Sequence, residues 1–381
     1  MIPERRINEK ASLGHRNPTQ KIKRAGTKRI MTALALAVLI AGVLKVGSVP
    51  AAQDLKGAPE RRSDAAVQTL AKEVGLLGWI LFDAATERGD RDLFVVRPDG
   101  SDRRRITNTP GFTEFGARLS PDGSRMMYRR LEGNKSPNHD AWGTQGVLVV
   151  ADTNGSNPIP QGEEGEYPWA SWSPDGKRIA CLYKTEGEIR ILDFKSKKVL
   201  RKLPSKGIFQ QLFWSPDGRR LCGTANIAGH DWNIVSMDIE TTDLKLLSRV
   251  LNCTPDWFKT SDRVVYSHRN PDLTVAKQTM LMQATADGKT RTLIYAEYGR
   301  HIYFGCTSPD DRYVIFARPE EDGGFGPMAI VRLADTPIVA RGPAYEVLKD
   351  MYPAVTDGPV LHLPDVVGFE PYWTDETIID D

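Results

Sequence analysis

The amino-acid sequence predicts an all-β fold, specifically a six-bladed β-propeller closed by pairing of the C-terminal strand into the first blade. Three observations lead to this prediction. The phrase Ser-Pro-Asp-Gly recurs, short alternating apolar segments joined by tight turns lie between its copies, and a segment near the C-terminus matches part of one repeat. Repeats spaced by roughly 40–50 residues are typical of propellers and related architectures.

The repeated phrase predicts a β-turn. Its Ser bonds back to the backbone, its Pro presets φ, its Asp suits the third position and its Gly relieves the fourth. The Asp residues are therefore predicted to be turn formers rather than a repeated carboxylate site. Copies begin at Ser120, Ser173, Ser215 and Ser308, and degenerate copies are Thr260-Ser261-Asp262 and Trp373-Thr374-Asp375.

Each repeat is predicted to form four short strands joined by hairpins, which is one propeller blade. Asp-Gly or Asn-Gly pairs between the apolar segments are strong hairpin signals. The sequence divides into a first repeat at about 77–109 and five further blades at about 115–160, 168–204, 210–250, 253–296 and 303–363.

The first repeat lacks an innermost strand, and the C-terminus contains one. The segment from Phe369 to Asp375 matches the segment from Tyr167 to Trp172 that opens blade three. We therefore expect the last strand to pair with residues 79–83 and to close the ring, which removes the free sheet edges. The propeller then takes up residues 77–381 and leaves no room for a separate catalytic domain.

The N-terminus predicts export from the cytoplasm. Residues 1–29 contain nine Lys or Arg against two Glu, and the following fifteen residues, Ile30–Leu44, carry no charge. Small residues end this region, so residues 30–52 are either a cleaved signal peptide or a retained membrane anchor. Residues 53–76 are predicted to be a polar linker. Both alternatives place residues 1–29 in the cytoplasm and the propeller in the periplasm or another extracytoplasmic space. In the anchor alternative, residues 30–49 tether the propeller to the inner membrane. Both alternatives argue against a nucleic-acid partner.

The four cysteines predict neither a disulfide framework nor a metal site. They are distributed over different blades, and no Cys-x-x-Cys spacing occurs: Cys181, Cys222, Cys253 and Cys306. Disulfides require Cα atoms within about 7 Å, which the spacing of blades does not favour. We expect buried free thiols and no metal or other cofactor.

Histidines identify the candidate binding face. In a propeller, the Ser-Pro-Asp-Gly turns lie on one face, and the loops between second and third strands and between blades lie on the other. Loop residues on a rigid scaffold often bind ligands, and Trp can stack on sugars. The alternative is that His, Asp and Trp residues in these loops only satisfy turns and pack at the rim. The candidates on this face are His139, Asp140, Trp142, His230, Asp231, Trp232, His268, Arg269 and His301.

The turn phrase also carries a family resemblance. Trp172 to Ala180 and Trp214 to Leu221 resemble the propeller repeats of TolB-like proteins, and Glu370 to Thr374 resembles their closing strand. The resemblance covers about residues 77–376 and implies a six-bladed propeller that binds an envelope protein in the periplasm. TolB itself carries an α/β domain before the propeller, where this chain has residues 53–76.

Two functions follow from the sequence. The first is a binding or scaffold module of the cell envelope, whose partner is an envelope protein or a polysaccharide. The second is a carbohydrate-active enzyme similar to oligogalacturonate lyases, with His230 or His301 as the base and Arg269 neutralising a uronate. The closely spaced histidine pair of those lyases has no counterpart here, since the smallest gap is the one between His268 and His301.

Overall fold

The computed structural model describes residues 64–378, with gaps at 134–145, 185–186, 228–229, 250, 270–278, 298, 321–323, 334–337, 342–354, 357 and 377. The predicted signal or anchor segment lies outside these residues. Among the residues described, no helix has both the length and the apolar character needed to cross a bilayer.

The described chain contains one helix and 26 strands. The helix is α1 (Ala65–Val74). The strands are β1 (Trp79–Ala85), β2 (Arg91–Val96), β3 (Arg104–Arg105), β4 (Phe112–Leu119), β5 (Arg125–Glu132), β6 (Val147–Asp152), β7 (Ile159–Pro160), β8 (Ala170–Trp172), β9 (Arg178–Tyr183), β10 (Glu188–Asp193), β11 (Val199–Pro204), β12 (Ile208–Trp214), β13 (Arg220–Ile227), β14 (His230–Asp238), β15 (Leu244–Ser248), β16 (Asn252–Trp257), β17 (Arg263–Arg269), β18 (Thr279–Thr285), β19 (Arg291–Glu297), β20 (Tyr303–Thr307), β21 (Tyr313–Ala317), β22 (Gly326–Arg332), β23 (Ile338–Arg341), β24 (Val355–Thr356), β25 (Leu361–Gly368) and β26 (Tyr372–Thr374).

The strands form six sheets, each containing one antiparallel four-stranded blade, and the prediction of a six-bladed propeller is confirmed. Blade one is β26-β1-β2-β3, blade two is β4 to β7, blade three is β8 to β11 and blade four is β12 to β15. Blade five contains β16 to β19, and blade six is β20-β21-β22-β25. In the sheet of blade five, β23 adds to β19 and β24 adds to β23, both in parallel, and these two strands belong to the long connection between β22 and β25.

The C-terminal strand closes the ring as predicted. Trp79, Ile80 and Leu81 of β1 pair with Thr374, Trp373 and Tyr372 of β26 in antiparallel register. The indole N–H of Trp373 donates to the Leu77 carbonyl at 2.6 Å. The innermost strand of the first blade is therefore supplied by the end of the chain.

Apolar side chains fill the gaps between blades. Six clusters of buried residues occur in the described chain, each mainly at the boundary of two neighbouring blades, and one of them also includes Tyr303 and Phe304 of blade six. Val67, Leu70 and Val74 of α1 join the cluster between blades six and one, within the segment predicted to be a linker. Cys181, Cys222 and Cys306 are buried free thiols as expected, and Cys253 is half-buried.

The repeated turns use their Ser and Asp as the phrase predicts. In blade two, the Ser120 N–H donates to the Arg125 carbonyl at 2.8 Å, and the Ser120 hydroxyl donates to Asp122 at 2.5 Å. The Ser120 hydroxyl lowers the pKa of Asp122, although burial opposes this. The same bonds recur in the turns at Ser173, Ser215 and Ser308, which confirms that these carboxylates form turns.

The degenerate turn of blade five begins two residues earlier than the sequence pattern indicates. The Phe258 N–H donates to the Arg263 carbonyl at 3.0 Å, which is the bond that Ser makes in the other turns. Lys259 therefore occupies the Pro position and Thr260 the Asp position, whereas the sequence suggested Asp262. A lysine side chain thus replaces a proline ring at one point of the turn face.

The innermost strands of four blades contain a bulge four residues before the turn. The register of each strand shifts there, and the residue concerned has positive φ. Left-handed φ is unfavourable for side chains with a Cβ, and bulges of this kind redirect a strand and its side chains. The residues are Gly116 (φ 65°), Gln211 (φ 45°), Thr254 (φ 51°) and Phe304 (φ 52°).

Candidate functional site

The structure describes four of the predicted site residues with their side chains. His268 Nδ1 lies 2.7 Å from the Asn252 side-chain oxygen, and burial lowers the pKa of His268. The Trp232 N–H donates to Asn226 at 3.0 Å, and its ring packs edge-on against a neighbouring phenylalanine. These two residues are engaged in local packing and hydrogen bonding.

Arg269 and His301 are brought together by Tyr303. The His301 ring stacks parallel to Tyr303 with centroids 5.9 Å apart, and Arg269 donates to the Tyr303 hydroxyl at 3.4 Å. His301 is buried and Tyr303 is buried. The ring centroids of Tyr303 and Phe369 are also 5.9 Å apart. Tyr303 therefore links Arg269 and His301 to the segment that leads into the closing strand.

The other predicted residues are not described to the same extent. His139, Asp140 and Trp142 lie outside the described residues. His230 and Asp231 begin β14, and only their backbone is described. Whether the four histidines converge therefore stays a prediction. Within the described part of the chain, no three His, Cys, Asp or Glu side chains form a group that could hold a metal ion.

A second candidate site, on the turn face, was not predicted. It is built from the residue two places before the first residue of each turn, because side chains alternate along a strand and every second one points to the same side. Five of these six residues line one cavity of about 280 Å³. The six positions are Arg118, Ser171, Phe213, Asp256, Cys306 and Tyr372.

The cavity combines a rigid rim with aromatic walls. Pro121, Pro174 and Pro216, the prolines of three successive turns, are exposed and stand around its opening. Its walls are mainly the rings of Phe213 and Tyr372 together with two strand tryptophans, Trp172 and Trp214. Concave sites with apolar walls and a few polar groups are typical of ligand-binding pockets.

Two cations and one carboxylate line this cavity. Arg118 is buried, donates to the Pro371 carbonyl at 3.0 Å and lies 3.6 Å from Asp256. Burial lowers the pKa of Arg118, but Asp256 and other acidic neighbours outweigh burial and raise it. One Asp256 oxygen also accepts the Trp257 N–H at 2.8 Å. Asp256 is therefore shared between the backbone and a long ion pair.

Lys259 is the second cation of the cavity. Its ammonium lies 4.6 Å from the centre of the Tyr372 ring, and the residue is half-buried. Burial lowers the pKa of Lys259, but Cys306, Tyr372 and Asp256 outweigh burial and raise it. The group is thus charged at neutral pH while it faces a largely aromatic wall.

A buried ion pair lies close to the cavity residues Arg118 and Phe213. Arg129 pairs with Glu370, and both side chains are at most 5 % exposed. The Arg129 guanidinium also packs over Phe115 and Trp169, with 4.5 Å and 4.3 Å to the ring centres. Gly116 makes room for this pair, because a Cβ there would come within 2.5 Å of Arg129 and 2.9 Å of Glu370.

Comparison with known proteins supports the fold. No protein-family model matches the chain, and no curated protein matches it. The structure is similar to that of TolB from Acinetobacter baumannii, with a TM-score of 0.55 and 15% identity over 78% of this chain and 67% of that one. It is also similar to a chain of the nidogen/laminin complex, with a TM-score of 0.50 and 10% identity over 67% of this chain and 89% of that one.

An oligogalacturonate lyase in complex with manganese has a lower TM-score of 0.42, with 14% identity over 68% of this chain and 70% of that one. This value is too low to support an argument about activity. The similarities show the fold alone: the chain is a six-bladed β-propeller whose structure is similar to that of TolB.

Proposed function

We propose that this chain is an exported binding module of the cell envelope, whose propeller docks a protein or a glycan at the turn-face cavity. The observation that carries the proposal is the cavity itself, because side chains from five blades build one concave site with aromatic walls and fixed charges. Propellers commonly use a surface at the end of the ring for binding, and function resides in such sites rather than in the fold.

The envelope location rests on the N-terminal sequence. Residues 30–52 have the basic approach, the apolar core and the small-residue exit of a signal or anchor. The resemblance of the turn phrase to TolB-like repeats supports the same location, since TolB is periplasmic. The partner that we propose is an envelope protein or polysaccharide.

A chain that begins at residue 53 is suitable for the test. The ring-closing strand pair and all six apolar clusters lie within residues 64–378, so this chain contains the whole propeller. Immobilised protein would be used to capture envelope proteins and glycan fragments. We expect specific capture, and failure to retain any of them would contradict the proposal.

Blocking the rim identifies the face that binds. Pro174→Trp with Pro216→Trp places two large side chains at the opening of the cavity and should abolish capture. The matched control is Pro309→Trp, because Pro309 has the same place in its turn but does not line the cavity. Equal capture by both variants would exclude the turn-face cavity as the docking site.

The lyase alternative depends on Arg269 and His301, which flank Tyr303 as a cation and a base in an active site would. It predicts an ultraviolet-absorbing unsaturated product from oligogalacturonate in the presence of Mn²⁺. His301→Gln should abolish that product, while Pro174→Trp with Pro216→Trp should not affect it. We expect no product from the wild-type chain.

A further inference from the structure

The charges in the turn-face cavity do not balance. Arg118 and Lys259 contribute two positive charges and Asp256 contributes one negative charge, which leaves an excess of one positive charge. Uncompensated charge in a partly desolvated site is costly unless a partner neutralises it. The imbalance therefore points to a ligand that carries one negative charge.

Lys259 is the cation that is available to such a ligand. Arg118 already has the Pro371 carbonyl and Asp256 as partners. The Lys259 ammonium makes no hydrogen bond or ion pair within the described part of the chain, and its close contact is the face of Tyr372. An ammonium has three donors, and an aromatic face satisfies them only weakly.

The position of Lys259 is fixed rather than incidental. Its backbone N–H donates to Asp311 at 2.7 Å, and the neighbouring Thr260 N–H donates to the same carboxylate at 2.8 Å. Asp311 belongs to blade six and is buried. A side chain from another blade thus holds the turn that presents the ammonium to the cavity.

The remaining features distinguish between kinds of anion. The volume of about 280 Å³ and the rings of Phe213 and Tyr372 suit an organic group rather than a bare halide ion. A phosphate monoester carries more than one negative charge at neutral pH, and Asp256 would repel it. A carboxylate carries a single charge and forms short charge-assisted bonds with ammonium groups.

We propose that the turn-face cavity binds the carboxylate of an acidic organic ligand, and that the Lys259 ammonium is its principal partner. The inference rests on the proposed function and specifies the ligand chemistry of the same cavity. Such a carboxylate belongs either to an acidic side chain of a peptide or to a uronate sugar, and the experiment separates these two sources.

The test measures binding of small probes by titration calorimetry to the chain that begins at residue 53. The probes are N-acetyl-aspartate N-methylamide for the peptide source and galacturonic acid for the sugar source. Their neutral counterparts, N-acetyl-asparagine N-methylamide and galactose, serve as controls. We expect one acid to bind clearly more tightly than its neutral counterpart, and that acid identifies the source.

Variants of Lys259 test the residue. A hydrogen bond to a charged group contributes about 1.5 kcal/mol or more, which corresponds to at least about a tenfold loss of affinity for Lys259→Gln. Lys259→Arg keeps the charge and should retain binding. Lys177→Gln is the matched control, because Lys177 is an exposed lysine on the same face outside the cavity lining, and its loss should leave affinity unchanged.

Several results would overturn the inference. These are equal affinity for acids and neutral counterparts, equal effects of Lys259→Gln and Lys177→Gln, tighter binding of inorganic phosphate than of either acid, or no binding of either acid. The melting temperature of each unliganded variant shows that it is folded. If Pro174→Trp with Pro216→Trp abolishes capture of an envelope ligand but Lys259→Gln leaves it intact, recognition through a carboxylate is refuted while the proposed binding module stands.

Discussion

Replacing Asp311 with Gly restores the consensus turn phrase and should nevertheless destabilise the protein. The phrase in blade six reads Ser-Pro-Asp-Asp, and Asp311 holds φ 57°, a conformation that favours glycine. The repeat pattern alone therefore predicts that Asp311→Gly relieves strain. The structure predicts the opposite, because the Asp311 carboxylate stabilises the degenerate turn of blade five.

The magnitude follows from the bonds that are lost. Asp311 accepts from the Lys259 N–H at 2.7 Å, the Thr260 N–H at 2.8 Å and the Thr307 hydroxyl at 2.7 Å, with two further hydroxyl contacts. Bonds to a charged group contribute about 1.5 kcal/mol each, so these three give about 4.5 kcal/mol. Relief of left-handed strain returns about 1 kcal/mol or more. The expected net loss is about 3 kcal/mol, or about 6 °C in melting temperature for a domain of this size.

The assay is thermal unfolding followed by circular dichroism, with chemical denaturation to obtain the free energy. Gly218→Asp is the matched control, since Gly218 has the same place in blade four and a Cβ there would meet nothing closer than 3.9 Å. It isolates the cost of the left-handed conformation, about 1 kcal/mol. A melting temperature of Asp311→Gly equal to or above that of the wild type would refute the reasoning.

Three further changes test the ring and its interior. Gly116→Ala places a Cβ 2.5 Å from Arg129 and should cost about 3 kcal/mol in denaturant by disrupting the pair with Glu370; a loss below about 1 kcal/mol would contradict this. Trp373→Ala empties a fully buried site of the closing strand and should cost about 4 kcal/mol, so an unchanged denaturation midpoint would oppose tail closure. Burial lowers the pKa of His268, so its contribution to stability is present above the unfolded-state pKa of about 6.5 and is lost as pH falls through the folded-state pKa. His268→Gln should therefore reduce the loss of melting temperature at acid pH. Identical pH profiles of the variant and the wild type would contradict this prediction.

Local chemistry made the architecture predictable. The Ser-Pro-Asp-Gly turns repeat with spacings of one blade, and the C-terminal segment matches an innermost strand that the first repeat lacks. Turn residues act through near neighbours in the chain, so their pattern is visible in the sequence. Pairing of Trp373 with Ile80 is a long-range contact, yet it followed from counting strands.

The turn-face cavity depends on contacts between blades, which no local pattern contains. The sequence did carry one usable signal: the residue two places before each Ser-Pro-Asp turn occupies an equivalent position in its blade, and this set includes Arg118 and Phe213. The degenerate turn concealed Lys259, since its correct register is visible only from the bond between Phe258 and Arg263. The role of Asp311 was likewise hidden, because the two backbone N–H groups that donate to it lie in another blade.

The most direct test of the account is competition between a small carboxylate and the captured envelope ligand. The chain beginning at residue 53 would be loaded with its ligand and then titrated with the acid that binds the cavity. We expect displacement from the wild type by the acid and none by its neutral counterpart. Retention of the ligand at saturating acid, together with undiminished capture by Lys259→Gln, would contradict the claim that this cavity recognises the ligand through a carboxylate.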